Sequence, residues 1–281
     1  MTAQTPQTPQ KPQALQRSQT PQTPQTPQRP PKKKRWLLRT PAADAPARLF
    51  CFPYSGTGAS MYNKWPDRVG PAEVCRVQLP GRESRVREEH FGTYEALAAD
   101  LAPALLPHLD RPFGFFGHCG GALAAFATAH RLAELGMPVP DVLFMSSQVA
   151  PHRGPYGRYL TMDETGLRGE LERLTRVMGA EPVPDLIDLG LGVMNADLAA
   201  NRAYRTPEPV VLPTRIRPLG WRDDQEVAPE RMTGWEDCAP AGRCARTVLP
   251  GDHHAFLRAP DPLVDVLAAD LADAVAARAA Q

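Results

Sequence analysis

Phe113-Gly114-Phe115-Phe116-Gly117-His118-Cys119-Gly120-Gly121 is an apolar run that breaks into a pentapeptide of small residues, and an Ala-rich segment follows it to Leu135. A short apolar run bounded by Pro and Gly suits a strand covered on both faces. The segment from Gly120 to Leu135 reads as a helix closed by Gly136. Gly-x-nucleophile-x-Gly between a strand and a helix is a nucleophile elbow, and its need is steric. The nucleophile sits in a strained turn where backbones come close, so both flanks must be small. The turn lifts Cys119 to the carboxyl edge of a sheet, where α/β folds keep their ligand crevices. It also places the sulfur at a helix N-terminus, which favours thiolate over thiol. Serine is the usual occupant, and a cysteine among glycines is otherwise a common core residue. The pentapeptide therefore needs context.

Similar apolar runs recur on both sides: Arg48 to Pro53, Val74 to Pro80, Val142 to Ser147, Ile216 to Gly220 and Arg246 to Pro250. Between them lie helical patterns. In Thr93 to His108, Tyr94, Leu97, Leu101 and Leu105 fall on one stripe, with Pro103 as a candidate kink. Alternating strand and helix predicts an α/β fold with a mostly parallel sheet and helices on both faces. From about 158 to 211 the rhythm changes to helix without strand, as an inserted helical lid would give.

Two apolar runs beyond the lid end in the groups a nucleophile needs. One closes on Gly220-Trp221-Arg222-Asp223, with Asp224 next; the other on Pro250-Gly251-Asp252-His253-His254. Nucleophile, acid, base is the chain order of the α/β-hydrolase fold, and the gaps leave room for a lid and then one helix. The base takes the thiol proton and returns it to the leaving group, while the acid fixes the imidazole tautomer. Asp223 and His253 are the first choices, with Asp224 and His254 as alternates. His118 is assigned a structural role. Acyl transfer also needs an oxyanion hole. Here it would use the N–H of Gly120 and that of Ser55, in the Gly-rich turn Phe52 to Gly58.

The 281 residues carry a formal net charge of +1 and are 42% hydrophobic, which argues against a nucleic-acid partner. Five cysteines form no CxxC pair, and the histidines lack zinc-ligand spacing. With no secretory leader apparent, reduced thiols in a cytoplasm are the natural reading. No apolar run approaches the roughly 18 residues of a membrane span. Residues 1–46 are read as a disordered tail of Gln-Thr-Pro triplets ending in Lys32, Lys33, Lys34 and Arg35, and residues 47–281 as the folded domain.

Several stretches resemble the type II (editing) thioesterases of polyketide and nonribosomal peptide synthesis. They are Leu49-Phe50-Cys51-Phe52-Pro53, Gln78-Leu79-Pro80-Gly81-Arg82-Glu83, Asp110 to Phe113, Ala196-Asp197-Leu198 with Tyr204, Gly234-Trp235 and Phe256-Leu257, together with the elbow, acid and base segments. The resemblance implies a monomer without a cofactor of its own, hydrolysing acyl groups held on the phosphopantetheine arm of a carrier protein. It sets Cys119, Asp223 and His253 at nucleophile, acid and base. Three departures fall at the reaction centre: Cys119 where the family has serine, Gly120 where it has a large residue, and Tyr54-Ser55-Gly56 where it has His-Ala-Gly. The missing side chain at Gly120 implies a wider pocket beside the nucleophile. A thioester acyl-enzyme stays activated, so an acyltransferase or cyclase is an alternative to hydrolysis. An inactive hydrolase-fold binding subunit is the alternative from another class.

Overall fold

A computed structural model of the chain describes residues 1–3 and 35–280. The triplets and Lys32 to Lys34 lie outside the described residues. The unit from Arg35 onward is organised around a seven-stranded sheet. Its strands are β1 (Ala47–Phe52), β2 (Arg68–Val69), β3 (Ala72–Arg76), β4 (Phe113–His118), β5 (Val142–Ser146), β6 (Arg215–Trp221) and β7 (Thr247–Leu249). Their order is β2-β3-β1-β4-β5-β6-β7, parallel except for the short β2. Five helices accompany them: α1 (Tyr94–Leu105), α2 (Gly120–Glu134), α3 (Glu164–Met178), α4 (Pro184–Ala203) and α5 (Asp261–Ala279). This is the mostly parallel α/β sheet that the strand–helix alternation predicts, in the α/β-hydrolase arrangement expected from the order of elbow, acid and base.

Side-chain alternation divides the core. Phe50, Phe52 and Phe115 point to the face covered by α1 and α2, while Leu49, Cys51 and Phe116 point to the face covered by α5 and the lid. Thr93 caps α1 by accepting the Ala96 N–H at 3.2 Å. Pro103 stands in the last turn of α1, which it does not break.

Three features differ from expectation. The folded unit extends back to Arg35, ahead of the expected start at Ala47. Trp36 and Leu37 are buried, Leu37 bridges to Val77, and the Arg85 guanidinium lies 4.2 Å from the Trp36 ring centroid. Two large apolar side chains and a cation–π contact are enough to pin a segment whose Pro content suggested tail. Between β6 and β7 there is no full helix, but two 3-10 turns, Pro229–Arg231 and Trp235–Cys238. Helix α5, which buries Leu263, Leu267 and Leu271, is an addition to the expected elements.

Close packing at the elbow explains its composition. A Cβ on Gly117 would stand 2.2 Å from the Gly121 carbonyl oxygen, and one on Gly121 would stand 2.7 Å from the carbonyl oxygens of Phe52 and Pro53. Backbone cannot give way as a flexible side chain can. Gly117→Ala should cost about 3 kcal/mol, the upper end for overpacking, and a lowered thermal midpoint would register it. A midpoint equal to wild type would show that the strand and helix can separate here.

Candidate active site

Strand β4 is central, and at its carboxyl end Cys119 takes φ 50° and ψ −120°. That is a costly conformation for a residue with a Cβ, held only because the surroundings demand it. The Cys119 N–H donates to the Ser146 carbonyl at 2.9 Å, and its carbonyl accepts the Ala122 N–H at 3.0 Å. The thiol is only 6% exposed. Its pKa is pushed up to about 12, chiefly by burial, with the Gly120 N–H pulling the other way and Asp224 and Glu226 adding to the rise. The helix terminus thus favours thiolate as expected, but desolvation is larger, and the resting group is a thiol. Alkylation by iodoacetamide should accordingly keep accelerating above pH 9. A rate already at its plateau by pH 7 would instead indicate a preformed thiolate.

The carboxylate that reaches His253 is not Asp223, the first choice from the sequence. Asp224, the alternate, meets it instead: His253 Nδ1 lies 2.9 Å from its Oδ2 and 3.0 Å from its Oδ1. Asp223 is exposed, and its backbone N–H donates to the Gly251 carbonyl at 3.0 Å, tying the loop after β6 to the loop after β7. The reason is a turn closed by the Asp224 N–H on the Trp221 carbonyl at 3.1 Å, which carries the second acid inward. Asp224 also accepts from Ser147 Oγ at 2.6 Å and from the N–H groups of Glu226 and Val227 at 2.8 and 3.0 Å. Burial alone would raise its pKa; these donors, His253 first, outweigh burial and hold it below the usual carboxylate range. Ser147, itself at φ 45°, was not among the expected site residues. No local motif marks it.

Of the two histidines, His253 carries the Asp224 bond. His254 instead accepts from the lid residue Arg173, at 3.0 Å between Nη2 and Nδ1, and burial drops its pKa to about 3. His118 meets His253 directly. It stacks on Phe256, its Nδ1 lies 2.9 Å from Ser146 Oγ, and its Nε2 lies 3.3 Å from His253 Nε2. Donor capacity orders these contacts. The indole N–H of Trp221 donates to Ser146 Oγ at 3.0 Å. The serine hydroxyl can then give its proton to His118 Nδ1, leaving His118 Nε2–H to donate to His253 Nε2. His253 in turn donates from Nδ1 to Asp224. Every group in that line is satisfied with His118 neutral, the form its burial favours. In this arrangement His253 Nε2 faces His118, and among the described residues no hydrogen bond joins it to Cys119.

Tyr54 roofs the group, its ring centroid 5.8 Å from those of both His118 and His253 and 6.0 Å from that of His254. The space at Gly120 is not open. A Cβ there would meet Ser55 Oγ at 2.2 Å and Tyr94 Oη at 3.0 Å. The expected wider pocket is therefore occupied by Ser55 and Tyr94. Two cavities approach the site. An apolar one of about 220 Å³ lies under the lid, lined by Met61, Leu171, Leu174, Ile187 and Val193 beside the Gly56–Gly58 turn. A polar one of about 330 Å³ reaches His253 between Arg158, Arg173 and Asp223. Cys119 lines neither. Among the described residues, no helix is long and apolar enough to cross a membrane.

Comparison with known proteins adds to this geometry. A thioesterase domain model matches residues 47–271. The chain is 34% identical over 209 residues to a probable cadicidin biosynthesis thioesterase of Streptomyces griseus, covering 72% of this chain and 57% of that one. It is 33% identical over 230 residues to linear gramicidin dehydrogenase LgrE of Brevibacillus parabrevis, covering 78% and 86%. The structure of the type II thioesterase BorB from the borrelidin biosynthetic cluster superposes with a TM-score of 0.72 at 28% identity, covering 84% of this chain and 97% of BorB. With a thioesterase domain spanning its whole sheet and a buried Asp–His pair at the edge where its elbow stands, this chain belongs to the thioesterase family and is a thioester hydrolase.

Proposed function

We propose that the chain releases acyl groups from the phosphopantetheine thiol of a carrier protein, in polyketide or nonribosomal peptide synthesis, with Cys119 as nucleophile. The observation that carries the reading is the juxtaposition of a strained Cys119 with the His253–Asp224 pair at one sheet edge. The similarity to BorB and to the cadicidin protein supports the setting.

The chemistry runs in two halves. His253 leaves His118 and turns its Nε2 lone pair to the thiol. As Sγ attacks the carbonyl carbon, its proton passes to Nε2, and Asp224 supports the resulting imidazolium. The carbonyl electron pair moves to oxygen, where the N–H groups of Ser55 and Gly120 hold it. Collapse breaks the bond to the pantetheine sulfur, which takes the proton from Nε2. Water then attacks the Cys119 thioester, giving a proton to His253, and a second collapse frees the acid and returns the thiol. No cofactor is required at any step. The absence of a bond from His253 to Cys119 at rest is no obstacle, since catalytic hydrogen bonds often tighten only when substrate is bound.

A second reading has its own observation. Cys119 is almost sealed from solvent, and a thioester intermediate kept from water can pass its acyl group to an amine, alcohol or second carrier thiol. Incubating the protein with an acyl-carrier thioester, and following free acid and new acylated products together, tests both. Free acid in step with thiol release supports hydrolysis. A new amide, ester or carrier thioester without free acid would replace it with transfer.

A further inference from the structure

The geometry points to Asp197, on lid helix α4, as a positioning residue that sets the oxyanion-binding turn, so that seating the lid and readying the site are one event. This rests on the proposal that Ser55 supplies an oxyanion N–H.

Asp197 is 2% exposed and its carboxylate meets four donors. Arg82 grips it with both terminal nitrogens, Nη1 to Oδ2 and Nη2 to Oδ1, each at 2.7 Å. His90 Nε2 reaches Oδ1 at 2.7 Å, and the Gly56 N–H donates to Oδ2 at 2.8 Å. The same Arg82 Nη1 donates to the Thr57 carbonyl at 2.9 Å. Consecutive peptide units of the turn are thereby fixed. The unit that ends in the Gly56 N–H is held by Asp197. The unit before it has its Tyr54 carbonyl held by the Thr57 N–H at 3.1 Å and by Thr57 Oγ1 at 2.7 Å. A peptide's N–H points opposite to its carbonyl, so the Ser55 N–H is aimed by what binds Tyr54 and stabilised by what binds Gly56. Gly56 itself needs its φ of +78°, and the Met194 side chain of α4 lies 3.0 Å from where its Cβ would be. The lid therefore touches the turn twice, once through a carboxylate and once by packing.

Stability alone does not ask for this. A buried ion pair holds a fold no better than well-packed apolar residues do, and its directional demands are what distinguish it. Here those demands select one lid position and one turn conformation together. They also join three segments that otherwise look unrelated in sequence: Gln78 to Glu83, Ala196 to Leu198, and the Gly-rich turn.

The test compares wild type with Asp197→Asn and with the charge-free pair Arg82→Met/Asp197→Leu, which guards against unfolding from a lone buried guanidinium. Three quantities are read: hydrogen exchange at the Gly56 amide, kcat and KM for an acyl-carrier thioester, and the rate of Cys119 alkylation by iodoacetamide. Alkylation needs the sulfur and its base but no oxyanion hole. The expected result is Gly56 exchange at least 100-fold faster and kcat down by about 10²- to 10³-fold, the loss of one oxyanion donor, with alkylation unchanged within about twofold. A folded double variant with wild-type Gly56 protection, or one with loosened Gly56 but undiminished kcat, would overturn the inference. If wild-type turnover proved independent of Cys119, the nucleophile assignment would fall instead. The Gly56 exchange would still report on its own whether Asp197 clamps the turn.

Discussion

Replacing Cys119 with alanine is expected to lower turnover of an acyl-carrier thioester by about 10⁴-fold or more while leaving the protein folded. The magnitude follows nucleophile deletions in serine hydrolases, where removing that one group costs about as much as removing the whole triad. Folding should survive because alanine fits the space the thiol leaves and the φ of 50° is imposed by neighbours, not by sulfur. The assay is single-turnover release of acid from the carrier, with circular dichroism as the control for structure. An alanine variant within tenfold of wild type would remove Cys119 from the mechanism. Cys119→Ser then asks whether sulfur is needed or tolerated. The buried thiol, with its pKa near 12, is activated only by proton transfer to His253, and a serine hydroxyl could use the same base. Retained hydrolysis with lost transfer products would tie sulfur to the activated intermediate.

The second large effect separates two adjacent acids. Asp224→Asn should reduce turnover by about 10⁴-fold, because an amide can donate to His253 Nδ1 and trap the wrong tautomer. Asp223→Asn, at an exposed position whose structural contact is through its backbone, should stay within about threefold. Equal losses at both would contradict the geometry. Asp224 also has a stability signature. Its folded pKa lies below the unfolded value of about 3.9. Its contribution is therefore complete above that value and is lost as pH falls through the folded pKa. The Asn variant should thus lose part of the wild type's acid sensitivity below about pH 4 in addition to its activity.

The comparison of residues 223 and 224 shows where reading a sequence stops. Strands β1, β4, β5 and β6 were legible because an apolar run of six or so residues between Pro and Gly is too short for a helix and too greasy for a loop. The elbow was legible because its glycines answer a steric demand. Which of two neighbouring acids faces inward depends on one turn at Trp221, and a turn of that kind has no sequence signature strong enough to choose. His253 and His254 posed the same problem, and the contact from Arg173, eighty-one residues away, parts them in the structure. The Gln78 to Glu83 stretch was recognisable by resemblance but had no assigned purpose. Its Arg82 acquires one only when α4 brings Asp197 within 2.7 Å. Trp36 and Leu37 were missed because a short apolar pair after a basic, Pro-rich stretch has no periodicity to detect.

The polar links between lid and core differ in their exposure to water. Arg158 to Glu226, Arg173 to His254 and Lys64 to the Val177 carbonyl lie toward the surface, whereas Arg82 to Asp197 is enclosed. Of the first group only Arg158–Glu226 pairs two charges, and mobile ions shield it within a Debye length of about 8 Å at physiological strength but barely reach Arg82–Asp197. High salt is therefore expected to slacken the margin at Arg158 while the axle in the middle of α4 keeps its grip. The Gly56 turn, tied to that axle through Asp197, should accordingly feel ionic strength far less than the lid's rim does.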